Sequence, residues 1–143
     1  MRSSAWPGWG LLLLLVAVQA SAQEAAPPPV TLGENFPDPF WPSTTIPFTL
    51  NPELCRGGRR PEVTLRIVNV FAQEVATPVL RGTDGLRLDR LRLSCGRFLA
   101  DWDGAFTDPE QELSPGVYLY VLTVNDRRHV GRMIARRPPS TTP

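Results

Sequence analysis

Proline sets the first limit on what this chain can fold into. Sixteen prolines fall within 143 residues, about twice the usual share. Each one fixes φ and removes a backbone donor, so long helices are disfavoured and short strands with punctuated loops are favoured. The prolines also group. Pro27, Pro28 and Pro29 sit in an Ala-rich stretch, Pro37, Pro39 and Pro42 stiffen a loop, and Pro138, Pro139 and Pro143 mark the tail. Pro47 stands alone inside an alternating apolar stretch, where a missing ladder donor predicts an edge strand. With 42% hydrophobic residues over this length, the chain suits one domain.

Residues 1–22 read as an export signal. Arg2 supplies the leading charge, residues 11–18 (LLLLLVAV) form a short apolar run, and Ala20-Ser21-Ala22 matches a signal-peptidase site. The run is about half of the ~20 residues that a membrane span requires. The expected mature chain is therefore secreted, periplasmic or held in a cell envelope, with no transmembrane helix. All fifteen basic residues are arginine and the formal net charge is +1. Removing residues 1–22 takes away Arg2 and no acid, leaving fourteen arginines against fourteen acidic residues. A formally neutral chain has no overall field to recruit nucleic acid. Export also places Cys55 and Cys95 in an oxidising compartment. Two cysteines and one histidine cannot complete a zinc shell, so a disulfide is expected.

Beyond the signal, residues 23–34 read as a Pro/Ala-rich linker, 35–137 as the folded domain and 138–143 as a disordered tail. Period-2 alternation predicts strands over 45–50, 63–67, 74–80, 98–102, 116–124 and 129–135. Asn125-Asp126 predicts a two-residue hairpin turn. Residues 86–93 carry Leu86 and Leu88 on one parity and Leu91 and Leu93 on the other. A bulge or turn near Asp89-Arg90 would restore a common face, and a short helix is the alternative. About seven short strands with regular turns predict an all-β, antiparallel β-sandwich.

Several motifs resemble a known family. Asn35-Phe36-Pro37-Asp38-Pro39-Phe40-Trp41-Pro42-Ser43-Thr44-Thr45-Ile46-Pro47-Phe48 resembles the "NPFNPSTTI-F" opening of type A sorting domains of the type IX secretion system. These domains are themselves similar to the Ig-like domain of the flagellar hook-capping protein. Residues 63–76 (VTLRIVNVFAQEVA) are similar to the family's "V-L-IYNVLGQEVA", with Ala72 at the glycine. Trp102-Asp103-Gly104 matches "WDG", and residues 114–120 (SPGVYLY) resemble "PSGVYFY". The resemblance implies an Ig-like sandwich over 35–137 that binds secretion machinery or another envelope protein. In the family such a module follows a large cargo, whereas here the signal and linker precede it directly. The resemblance also singles out residues with structural roles. Pro39, Phe40 and Pro42 shape the opening loop, and Ser43 or Thr44 bonds nearby backbone. Trp102 fills the core, Asp103-Gly104 turns the chain, and Gly116 precedes the strand bearing Tyr118 and Tyr120. The segments 51–60 and 81–95 are longer than the pattern and each holds one cysteine, so Cys55–Cys95 is expected to staple them.

Catalytic chemistry finds little foothold. His129 is the sole histidine, reads as a surface residue among arginines, and no motif positions a nucleophile. Asp101, Asp103, Asp108, Glu110 and Glu112 form an acidic stretch that reads as a solvated loop, with Ca²⁺ binding as the alternative. No cofactor is expected. Partner contacts are expected from Trp41 in the Pro-rich loop and from Arg59 and Arg60 beside Gly57-Gly58. The expected function is a non-catalytic module for protein interaction or export targeting. The alternatives are an adhesin-like or envelope assembly subunit and, further off, a protease inhibitor.

Overall fold

A computed structural model of the chain describes residues 3–5, 8, 10, 13–19 and 26–141. Arg2, Leu11, Leu12 and the Ala20-Ser21-Ala22 motif lie outside the described residues, as do Trp6 and Trp9. Within them, Leu13, Leu14, Leu15, Val16 and Val18 are exposed, and no helix is long and apolar enough to cross a membrane.

Nine strands appear among the described residues: β1 (Val30–Leu32), β2 (Thr44–Leu50), β3 (Glu62–Val68), β4 (Glu74–Ala76), β5 (Val79–Leu80), β6 (Leu91–Arg92), β7 (Gly96–Trp102), β8 (Gly116–Val124) and β9 (Arg127–Ala135). They form two antiparallel sheets. One has the order β1-β2-β7-β5 and the other β4-β3-β8-β9, with β6 paired to β3 on the side where β4 pairs. The only helix among the described residues is a 3-10 segment, Pro52–Gly58. The expected all-β sandwich is therefore the architecture, with nine strands where about seven were expected.

Alternation decides which residues meet between the sheets. Ile46, Phe48 and Leu50 of β2 face inward with Ala100 and Trp102 of β7. Opposite them lie Val63, Leu65 and Ile67 of β3 and Tyr118, Tyr120, Leu122 and Val124 of β8. All are buried in one continuous core. Removing a side chain of this size from water contributes about 1.5–3 kcal/mol.

The structure corrects three expectations. First, β1 lies inside the segment read as a linker. Val30 is buried and pairs with Leu50, because three residues are too few to display a period. Second, residues 74–80 are not one strand. The chain leaves one sheet after Ala76 and joins the other at Val79, with Pro78 at the crossing. Proline cannot donate to a ladder, but the Pro78 carbonyl accepts the Leu88 N–H at 2.9 Å. The leucine-rich stretch, by contrast, turns at Arg90, whose φ is 52°, as expected, and does not take up the helical alternative. Leu88 and Leu93 are buried while Leu86 is half exposed. Leu88 joins the core because its carbonyl accepts the Leu65 N–H.

Third, Pro47 is not on an edge strand, since β2 is paired on both sides. The ladder from β1 simply ends there. The Gly33 N–H donates to the Pro47 carbonyl at 2.8 Å. In a continuing ladder the Gly33 carbonyl would take the N–H of residue 47, which proline lacks. The Tyr120 hydroxyl supplies that donor across the sandwich at 2.9 Å. To reach it, the Tyr120 ring lies over Gly131, its register partner on β9, where any Cβ would collide with the ring. Burial holds the Tyr120 hydroxyl above its ordinary pKa, with the nearby Asp38 and Glu34 charges acting in the same direction.

Gly131→Ala is expected to destabilise the fold by about 1–3 kcal/mol through overpacking, measured by urea denaturation. The cost should shrink in a Tyr120→Val background, because the colliding ring is gone. Equal costs in both backgrounds would contradict this packing.

Candidate functional site

The motif residues gather at one end of the sandwich. Phe40 is buried against Trp102 with ring centroids 5.6 Å apart, and Tyr118 packs edge-on to Trp102 at 5.8 Å. Phe106 completes the cluster at 6.3 Å from Trp102 and 6.2 Å from Tyr118. The Trp102 indole donates to the Ala105 carbonyl at 2.9 Å, and Asp103 accepts the Ala105 N–H at 2.9 Å. Gly104 has φ 84° and lies so close to the Pro42 carbonyl that a Cβ would strike it. Thr44, not Ser43, bonds the opening loop, donating to the Pro37 carbonyl at 3.0 Å while accepting from buried Asn35. Gly116 opens β8 with φ 146°, and Pro39 and Ser43 are exposed. These residues build the fold. Trp41 is half-buried beside Pro42 and Gly104. Arg59 and Arg60 lie near the opposite end of β8, where β3 begins beside Val124. The residues expected to touch partners are therefore not brought together.

A different group converges at that opposite end. The tight turn at Asn125 (φ 46°) and Asp126 (φ 67°) sets Val124 opposite Arg127 and Leu122 opposite His129. Val124 and Leu122 face the core, so Arg127 and His129 point to the same inner side. They meet Arg56, Arg59 and Glu53 around a cleft of about 670 Å³ floored by Val30 and Leu54. The Cys55–Cys95 disulfide, with Cα atoms 6.1 Å apart, holds the segment carrying Arg56 and Arg59. The His129 side chain is half-buried and not a free surface group, and its Nε2 is buried without a hydrogen-bond partner. Arg60 stays outside the cleft, and its carbonyl accepts from Arg92. Sequence reasoning missed Arg127 and His129. The hairpin turn and the parity of Leu122 carried the signal.

The second feature is the free edge of β9. The Ile134 N–H donates to Asp38 and its carbonyl accepts the Phe40 N–H, both at 2.9 Å. Ile134 thus points its backbone away from β8. Every second residue of a strand repeats that direction, so Arg128, Val130 and Arg132 do the same. Among the described residues nothing bonds their outward N–H and C=O groups. The opening loop covers one end of this edge and leaves the rest open.

The acidic stretch is not gathered at one point. Asp103 and Asp108 cap the N–H groups of Ala105 and Glu110. Among the described residues no group of three or more carboxylates, histidines or cysteines is placed to hold a metal ion. Asp101 instead accepts two bonds from Arg81, at 2.6 and 2.8 Å, and one from Thr45 at 2.8 Å. Arg81 beside it holds the Asp101 carboxyl below its ordinary pKa, against a smaller upward push from burial and with help from Thr45. The pair clasps β7, β2 and the end of β5 on the outer face.

Comparison with known proteins brings no match: no family model, no curated relative and no solved structure aligns with the chain.

Two outcomes follow from these bonds. Ionised Asp101 stabilises the fold above the ordinary carboxylate pKa, and that contribution disappears as pH falls through its lowered folded value. Asp101→Asn should therefore cost about 0.5–1 kcal/mol at pH 7, given the partial exposure of the pair. In urea titrations the gap from wild type should close as acidity increases below about pH 4. Replacing Cys55 and Cys95 by Ser opens a loop with a sequence separation of 40. The loss should be about 4 kcal/mol on the chain-entropy relation, read from the denaturation midpoint of oxidised and mutant protein.

Proposed function

We propose that this chain is an exported, non-catalytic β-sandwich module that works by binding another protein in the cell envelope or outside the cell. The open edge of β9 carries this reading. Unpaired ladder groups on a nine-residue strand are a template for strand pairing unless they are covered. Export is supported by the exposed run of Leu13, Leu14 and Leu15, by the Ala20-Ser21-Ala22 motif in the sequence and by the paired cysteines. The non-catalytic reading draws on His129, whose Nε2 has no carboxylate or hydroxyl to orient it. The resemblance to type A sorting domains makes export machinery one candidate partner, and the Ig-like module of hook-capping proteins makes an assembly partner another.

The test uses the cells that produce the protein. Intact mass should show a chain beginning at Gln23 with Cys55 and Cys95 oxidised, recovered outside the cytoplasm. A photo-cross-linking residue at Val130 should give a discrete protein adduct that the same residue at Thr49, on the other sheet, does not give. A cytoplasmic chain retaining Met1, or equal adducts from both positions, would overturn the proposal.

A further inference from the structure

We infer that the open edge of β9 accepts an extended acidic peptide as an added strand. This rests on the reading above that the module binds protein, and it specifies the chemistry of the partner. Three backbone N–H donors and three C=O acceptors, from Arg128, Val130 and Arg132, are free along the edge among the described residues. An added strand would satisfy them by ladder pairing, the usual energy source of strand addition.

Charge then selects the occupant. On the outer face Arg128 and Arg132 flank exposed Val130. On the inner face Arg127 and His129 lead into the cleft that Arg56 and Arg59 also line. None of these five arginines is in an ion pair among the described residues. The nearby carboxylates are Asp126 in the turn and Glu62, which share a hollow with Arg128, Glu53 at the cleft, and, towards the covered end, Glu34 near the Tyr120 hydroxyl and Asp38 already bonded to Ile134. An added strand therefore pairs with a β9 whose own charged side chains are all arginine, Arg127 on the inner face and Arg128 and Arg132 on the outer.

The same charges argue against a second copy of this chain. Two β9 edges paired antiparallel about Val130 would set Arg128 directly opposite Arg132 of the other copy, twice. Like charges directly opposite are destabilising. Arginine on the edge and basic residues turned inward are devices that block self-pairing. Here the devices are all of one sign, so they reject a copy and a basic strand while attracting an acidic one. The pocket at the edge is also partly apolar, since Val30 and Leu54 floor it. A strand alternating acidic and apolar residues fits both features.

The probe is a capped heptapeptide of alternating Glu and Val, titrated against the full oxidised chain by fluorescence anisotropy. A Lys/Val peptide of the same length is the control. The acidic peptide should bind at least about tenfold more tightly than the basic one at low salt, and weaken as salt rises to about 0.5 M. Amide exchange at Arg128, Val130 and Arg132 should slow on saturation. Val130→Pro removes an outward donor without touching the ladder to β8, so it should abolish binding while the melting transition remains. Should that variant fail to fold, the surface double variant Arg128→Glu/Arg132→Glu decides independently, because it should reverse the preference to the basic peptide. Equal binding of both peptides, undiminished binding by Val130→Pro, or a preference unchanged by charge reversal would overturn the inference. A sulfated polysaccharide that protects no β9 amide yet displaces the peptide completely would also overturn it, by reducing the edge to an electrostatic patch. Failure in these titrations with the exported, cross-linkable chain intact would leave the module reading standing and remove only the acidic-strand assignment.

Discussion

The fold depends on closing one sheet over the other. Each sheet has one apolar face, and neither could remain in water alone. Leu65, Ile67, Tyr120 and Leu122 cover Ile46, Phe48, Leu50 and Trp102, and the remaining features serve that contact. Tyr120 shows how closely the parts are fitted. Its ring needs the space that Gly131 leaves, and its hydroxyl supplies the donor that Pro47 withholds from Gly33. Glycine, proline and tyrosine on three different strands or their ends are thus one packing solution. Their spacing in the chain reveals nothing of this, because the contact spans 87 residues.

Closure also settles what happens at the margins. At one end the loop from Asn35 to Thr44 folds back through its own hydrogen bonds and bonds Ile134 through Asp38 and Phe40. That covers the C-terminal end of β9. At the other end the disulfide joins the crossover after β2 to the one before β7. It ties these two crossovers together and props Arg56 and Arg59 beside β9. The open stretch from Arg128 to Arg132 lies between these two closures. A protein whose formal net charge is only +1 concentrates unpaired arginine around one strand edge. This local imbalance, more than the overall charge, distinguishes the surface.

Much of the strand layout was legible. Residues 63–67 and 116–124 alternate cleanly and sit near the observed bounds. Asn125-Asp126 announced the hairpin, because only a few residues accept positive φ at both turn positions. The pairing of Cys55 and Cys95 was legible from their number, since two cysteines and one histidine cannot complete a zinc shell. Other elements were not. Val30–Leu32 is a strand because β2 offers it a partner, not because three residues show a period. Residues 74–80 alternate as one strand, yet Pro78 stands where the chain crosses between sheets. Trp41, Arg59 and Arg60 looked like partner contacts, but the fold sets them far apart. The cleft instead takes Arg127 and His129, which a core-parity argument would have turned inward.

The architecture class, the alternating burial of the strands, the hairpin and the cysteine pair can all be read from the chain without its fold. All of these follow from local rules: a period of two, turn chemistry, and the redox arithmetic of two cysteines. Which strand edge stays open, which arginines gather beside it, and why Gly131 must make room for Tyr120 are fixed when the sheets close. Those outcomes depend on which distant segments meet when the sheets close, and local periodicity carries no record of that.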